Sequence, residues 1–262
     1  MARVLLRVAY DGTAYAGWQR QLNGPSVQAE IEDALAPLVG GRAVVFGAGR
    51  TDAGVHAEGQ TAHVDVPEGL EAESVLRAAN TRLPGDIRIR EARVVSEAFH
   101  ARYSATGKTY RYVWLVSRIG HPLLARTTCL VPPRLDLVGM GQAAAYLAGT
   151  HDFAAFQSVG TAIRSTVRTI TRVDLCLRPA EDIGLRLHEQ ERIVEFEVTG
   201  DGFLRHMVRA LAGTLLDVGQ GRRSPDDVRA LLSGAPRSAA GPTAPAHGLT
   251  LVDVMYGGAG LG

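Results

Sequence analysis

The chain has 262 residues, 46% of them hydrophobic and 21% charged, with a formal net charge of +1. That is ordinary usage for a globular protein, and enough chain for one large domain or two small ones. No apolar run approaches the roughly 18 residues of a membrane-spanning helix. The opening MARVLLRVAYDG is interrupted by Arg7 and followed by no small-residue cleavage site, so it reads as a first strand and not as a signal peptide. Two cysteines, Cys129 and Cys176, stand far apart and outside any CxxC pair. They argue against a disulfide framework or a zinc site and fit a reducing cytoplasm.

In chain order, residues 3–10 are β-prone and stop at Asp11-Gly12, a turn signal. Ser26 suits a helix N-cap, with Val27, Ile31, Leu35 and Leu38 at helical spacing before Gly40-Gly41. A short strand over 44–46 runs into a glycine-rich turn, and residues 61–66 alternate, with Ala62, Val64 and Val66 on one face. Residues 71–80 read as a helix and 87–95 as a strand, completing the order β-α-β-β-α-β.

The second half repeats that order with more decoration. Residues 109–116 form a strand rich in aromatic and β-branched residues, and Asp136 caps a helix reaching Leu147. Strands over 167–177 and 193–199 precede a long helix from about Phe203 to Val218. Ser224-Pro225-Asp226-Asp227 begins another helix, with a cap, a proline at the first position and acids in the first turn. Residues 234–248 are a Gly-, Ala- and Pro-rich loop, 249–254 a last strand, and the closing GGAGLG is expected to fray. The reading is α+β: two similar ferredoxin- or RRM-like halves, 1–106 and 107–262. They are expected to form an extended, mainly antiparallel sheet with helices on one face, leaving the other as an RNA-binding cleft.

Charge is distributed unevenly. Residues 98–135 contain no acid but carry Arg102, Lys108, Arg111, Arg118, Arg126 and Arg134. Arg164, Arg168 and Arg172 share a second acid-free stretch, and Arg205 and Arg209 a third. Such single-sign bias suits a phosphate-binding footprint. It equally suits solvated strand faces in an arginine-rich sequence where Lys108, the one lysine, marks compositional drift.

Common catalytic motifs are missing. Gly107-Lys108-Thr109 lacks the first glycine of a phosphate loop, Gly47-Ala48-Gly49 lacks the third glycine of a dinucleotide fingerprint, and neither HExxH nor GxSxG occurs. What remains is GAGRTDAGVHA, residues 47–57, directly after a strand. Glycines at both ends admit tight turning and a close ligand. Asp52 is a candidate nucleophile; a carboxylate must be ionised to act so, and a nearby guanidinium such as Arg50 favours that form. An Asp that caps a turn, with Arg50 as its structural partner, has the same pattern, and spacing alone leaves both open.

Eight blocks occur in order: YDGTAYAGWQRQ (10–21), GAGRTDAGVHA (47–57), LPGDI (83–87), FHARYSATGKTYRY (99–112), GTHDFAAF (149–156), VRTI (167–170), FLRHMVRALAG (203–213) and GLTLVDV (248–254). Together they resemble the tRNA pseudouridine synthase A family over essentially the whole chain. The resemblance implies a homodimeric, cofactor-free enzyme, without metal or membrane, that isomerises uridines 38, 39 and 40 of the tRNA anticodon stem-loop. It assigns Asp52 as the catalytic aspartate, Tyr110 as the tyrosine against the target base and Arg209 as the partner of the carboxylate. Arg50 is assigned near the flipped nucleotide. Arg205 and His206 fill a variable pair, and Arg205 stands as a further RNA contact.

The residue types agree with that chemistry. One nucleophile suffices when the detached uracil stays in the site, whereas glycosidases need two carboxylates. Asp52 can add to C6 of the base or C1′ of the ribose, and Tyr110 can stack or relay the C5 proton. Strand alternation puts Tyr110, Tyr112 and Trp114 on one face and Arg111 on the other, which also fits a core role for Tyr110. Arg205 and Arg209, four apart, are expected on one face of the long helix. A non-catalytic RNA-binding protein and a pseudouridine synthase for another RNA are the competing readings.

Overall fold

The β-prone run at the amino terminus forms a nine-residue strand, as seen in a computed structural model that describes residues 1–158, 160, 163–179, 182 and 184–257. Among the described residues the chain runs β1 (Ala2–Tyr10), α1 (Val27–Leu35), β2 (Val45–Gly47), β3 (His56–Val66), α2 (Ala72–Asn80), β4 (Ile87–Val95) and β5 (Ala105–Val116). It continues through β6 (Cys129–Val131), α3 (Leu137–Ala145), β7 (Gly149–Asp152), β8 (Val167–Arg178), β9 (Arg192–Gly200), α4 (Met207–Gly219), α5 (Pro225–Leu231) and β10 (Leu249–Tyr256). Residues 258–262, most of the segment expected to fray, lie outside the described residues.

Two compact units result, one of residues 1–108 with 250–262 and one of residues 109–249. The first orders its strands β4-β1-β3-β10, with β2 on β3. There β1 is antiparallel to both β3 and β4, while Thr250 of β10 aligns in parallel with His56. The second orders its strands β5-β9-β8-β7, with β6 parallel to β5. Its helix α3 packs on α4, α5 and β8.

Local chemistry sets most helix starts. Ser26 accepts from Ala29 N, burying Val27, Ile31 and Leu35 along one stripe of α1. Asp136 accepts from Gly139 N at 2.9 Å to open α3. Ser224 and Asp227 form a reciprocal capping box around Pro225.

Two expectations change. The long helix begins at Met207 and not near Phe203, because His206 is left-handed at φ 62° and helical geometry cannot pass through it. Arg205 therefore lies in the turn before α4, and its four-residue spacing from Arg209 does not put the two on one helix face. Strand β3 begins at His56, before Thr61, and is buried on both faces, with Gln60, Thr61 and His63 inside. Alternation is lost because each polar residue is covered: Gln60 bonds Gly49 O, and Phe46 stacks on His63.

Helix α4 is shaped by one glycine. A Cβ on Gly213 would sit 1.8 Å from Pro242 O, so the loop after α5 crosses the helix where no side chain stands. Gly213→Ala should lower unfolding free energy by about 2–3 kcal/mol by overpacking, read as a lower urea midpoint; an unchanged midpoint would mean the loop lifts off without cost.

Candidate active site

The glycine-rich segment after β2 is a loop held by the backbone on several sides. Ala48 N donates to Thr61 O at 2.7 Å, Trp18 N to Thr51 O at 3.1 Å and Gly54 N to Tyr15 O at 3.3 Å. Tyr10 shares a 2.8 Å hydroxyl bond with Thr51, and Gln60 Nε2 donates to Gly49 O at 3.0 Å. The segment 12–18 lies directly against this loop. A Cβ on Gly12 would meet Val55 O at 2.0 Å, and one on Gly17 would meet Thr51 O at 2.6 Å and the Asp52 carbonyl carbon at 3.1 Å. Gly17 (φ 108°) and Gly54 (φ 76°) also adopt left-handed backbone that disfavours other residues.

Asp52 is half-buried on this frame, while Arg50 is exposed. Tyr15 donates to Asp86 at 2.7 Å, tying in the LPGDI block. The 83–87 block thus braces the 10–21 segment, which in turn packs against the loop of Asp52.

In the second unit, strand alternation appears as expected. Tyr112 and Trp114 are fully buried, Tyr112 donating to Pro245 O at 3.0 Å, so both belong to the core. Burial drives the Tyr112 hydroxyl well above the ordinary tyrosine range. Tyr110, at 9% exposure, is less enclosed and meets Phe203 edge-on at 5.2 Å. Arg111 points the other way, to Glu195 and Glu197 of β9.

Arg209 stands in the first turn of α4. Its Nε donates to Ala244 O at 2.7 Å while Ala244 N donates to the Arg209 carbonyl at 3.0 Å. The reciprocal pair locks the guanidinium stem to the 242–245 loop. Arg205 is exposed, and its carbonyl accepts from Ser158 N. Asp52 and Arg50 thus belong to the first unit, and Tyr110, Arg205 and Arg209 to the second.

Lys108 acquires a role that composition did not suggest. Its ammonium donates to Ala48 O at 3.0 Å, and a Cβ on Gly49 would lie 2.5 Å from Nζ. The amine therefore supports the backbone of the Asp52 loop at Ala48 and Gly49. Burial, assisted by nearby Arg102, pulls it down to about 8 from an ordinary 10.5. The signal was the unusual identity itself: one lysine retained among 27 arginines, from 28 basic residues in all.

Because the folded amine releases its proton before the unfolded one, the unfolded chain holds more protons between pH 8 and 10.5, and stability rises across that window. Relative to Lys108→Met, the wild type should gain on the order of 2 kcal/mol from pH 7.5 to 10. Parallel denaturation curves for the two proteins would show that the ammonium is solvated.

Comparison of the sequence with known proteins finds the following matches. A family model described as tRNA pseudouridine synthase matches residues 7–104 and 143–257. The tRNA pseudouridine synthase A of Syntrophotalea carbinolica is 46% identical over 98% of this chain and 97% of its own length. That of Acetivibrio thermocellus is 44% identical over 98% of this chain and all of its own, and that of Shouchella clausii 42% over 98% and 94%. The RTDAG loop and Gly12, Gly17, Gly54 and Gly213 fall within the residues the family model matches, the relatives align over nearly the whole chain, and the chain belongs to the tRNA pseudouridine synthase family.

Proposed function

We propose that this chain isomerises uridine to pseudouridine at positions 38, 39 and 40 of the tRNA anticodon stem-loop, with Asp52 as nucleophile. We further propose that it acts in the cytoplasm as a homodimer and needs no cofactor. The observation that carries the reading is a half-buried carboxylate on a loop whose backbone is held by Tyr15, Trp18, Thr61 and Lys108. Such rigidity suits a nucleophile that must meet one atom of a base taken out of its stack.

In this reading Asp52 adds to C6 of uracil or to C1′ of ribose, and the N1–C1′ bond breaks. The detached ring turns, C5 bonds to C1′, the C5 hydrogen leaves as a proton and N1 gains one. Nothing is added or removed overall, so the reaction is an isomerisation. Tyr110 flanks the turning ring, and its hydroxyl is a candidate relay for the C5 proton. Arg209, its stem fixed on Ala244, pairs with the Asp52 carboxylate. Arg50 meets the extruded nucleotide and Arg205 a neighbouring phosphate. A stem nucleotide must be unpaired first, at a cost of a few kcal/mol that phosphate contacts offset.

Tritium release from C5-labelled tRNA tests the reaction, since only formation of the C5–C1′ bond expels that hydrogen. Asp52→Asn keeps volume and loses nucleophilicity. It should fall below about a thousandth of wild-type turnover, roughly 4 kcal/mol of barrier reduction, with tRNA affinity retained. A more active variant removes Asp52 as nucleophile. Wild type that binds tRNA without releasing tritium favours a binding protein.

Tyr110→Phe separates two roles of the tyrosine. If the hydroxyl handles the proton, an enzyme–RNA adduct or detached base accumulates without tritium release; if the ring only stacks, Phe is nearly silent and Ala harmful. Arg209→Ala should reduce turnover strongly, and Arg209→Lys should recover only part, since an ammonium lacks the planar fork. An active Arg209→Ala enzyme confines the site to the Asp52 loop.

A further inference from the structure

Beside the Asp52 loop, the first unit carries an aromatic cluster that the isomerisation chemistry does not use. Phe46 on β2 is opposite His63 on β3, and their rings stack at 5.0 Å with 15° between planes. His100 lies 4.7 Å from His63, 5.7 Å from Phe46 and 4.4 Å from Tyr103. His63 is buried beneath, but Phe46 is 46% and Tyr103 78% exposed. The guanidinium of Arg102 stands 5.8 Å over the Tyr103 ring.

This exposed surface is unusually fixed. Arg3 donates to the carbonyls of Glu97 and Phe99, Tyr256 to that of Ala101, and Ala101 N donates to His63 Nδ1. The amides of Arg102 and Tyr103 donate to His100 Nδ1. Both imidazoles must keep Nδ1 unprotonated to accept these bonds. Burial and the neighbouring Arg3 hold His63 down to about 4 and keep His100 below its ordinary value. Both rings therefore stay neutral at physiological pH. The acid next to His63, Asp65, is taken by Arg3 in a two-point bond.

We propose that Phe46, His100 and Tyr103 form a stacking platform for an unpaired base of the tRNA substrate, with Arg102 taking the phosphate beside it. Bases stack on aromatic and histidine rings, and a guanidinium next to the stack meets the backbone charge. A pre-ordered turn spares the ordering cost that a mobile loop would incur on binding. A protein partner would meet a small apolar patch with an arginine over one of its rings; a nucleotide meets both chemistries at once. The proposal rests on the tRNA reading above.

The test measures tRNA affinity of the full chain by filter binding across a salt series, alongside wild-type tritium release. Tyr103→Ala and Phe46→Ala should each raise Kd about tenfold, whereas Tyr103→Phe stays within about twofold because the ring remains. Arg102→Ala should weaken binding and lower the log–log salt slope by about one. Urea midpoints check folding, and Tyr103 is exposed enough for its variants to keep theirs. Unchanged Kd for Tyr103→Ala and Phe46→Ala, with wild type binding and active, overturns the platform and leaves the tRNA reading intact. Wild type that neither binds tRNA nor releases tritium overturns both. A Tyr103→Ala protein that sediments as a smaller species with unaltered affinity makes this face a contact between copies and also overturns the platform.

Discussion

The close passage of two backbone segments, 12–18 and 51–55, governs the first unit. With a methyl at Gly17 placed 2.6 Å from Thr51 O, and one at Gly12 placed 2.0 Å from Val55 O, only glycine admits this approach. Everything on the loop depends on it. Trp18 N can then reach Thr51 O, and the Trp18 ring can fill the space beside Gly47, where a Cβ would be 2.5 Å from Nε1. Tyr10, buried behind, reaches the Thr51 hydroxyl. The loop carrying Asp52 is therefore set by packing and backbone bonds more than by its own turn preferences, and a nucleophile gains from such support.

Much of this was legible in sequence because it is local. Ser26, Asp136 and Ser224 each sit one residue before their helix and cap it through a side-chain bond, as residue type and spacing required. Periodicity failed where tertiary contacts decide. Nothing in FLRHMVRALAG announces the left-handed His206, whose conformation delays α4 and removes Arg205 from it. His63 falls opposite Ala62, Val64 and Val66 in the sequence alternation, and Gln60 lies before the expected strand, yet both are buried in β3 because their partners, the Phe46 ring and Gly49 O, come from β2 and the turn after it. The roles of Gly12 and Gly17 depend on a segment about forty residues away, which no short window contains.

Charge patterning was the least portable signal. A stretch without acids in sequence is not a stretch without acids in space, since strand pairing brings side chains together across the sheet. Arg111 belongs to the acid-free 98–135 segment but meets Glu195 and Glu197 of β9, and Arg178 joins Glu195 as well. Arg168 turns back on the carbonyls of Ser165 and Val167. The electrostatic footprint is therefore narrower than the count of arginines suggests, and exposed Arg102 and Arg205 are better placed for phosphates than Arg111.

This narrowing bears on how the proposed reaction is driven. Taking a nucleotide out of a stem costs a few kcal/mol, and the backbone bonds that hold the Asp52 loop act within the protein and not on the RNA. An interaction that only orients the carboxylate helps the chemical step without helping extrusion. The extrusion energy has to come from contacts made elsewhere on the RNA. One base stacked on an aromatic ring is worth about 1–3 kcal/mol, comparable with the cost itself. A fixed aromatic turn beside a fixed catalytic loop is then a consistent pair. In the proposed reading the loop holds Asp52 still while stacking on Tyr103 and Phe46 supplies the energy that holds the stem open, so neither element has to do both tasks.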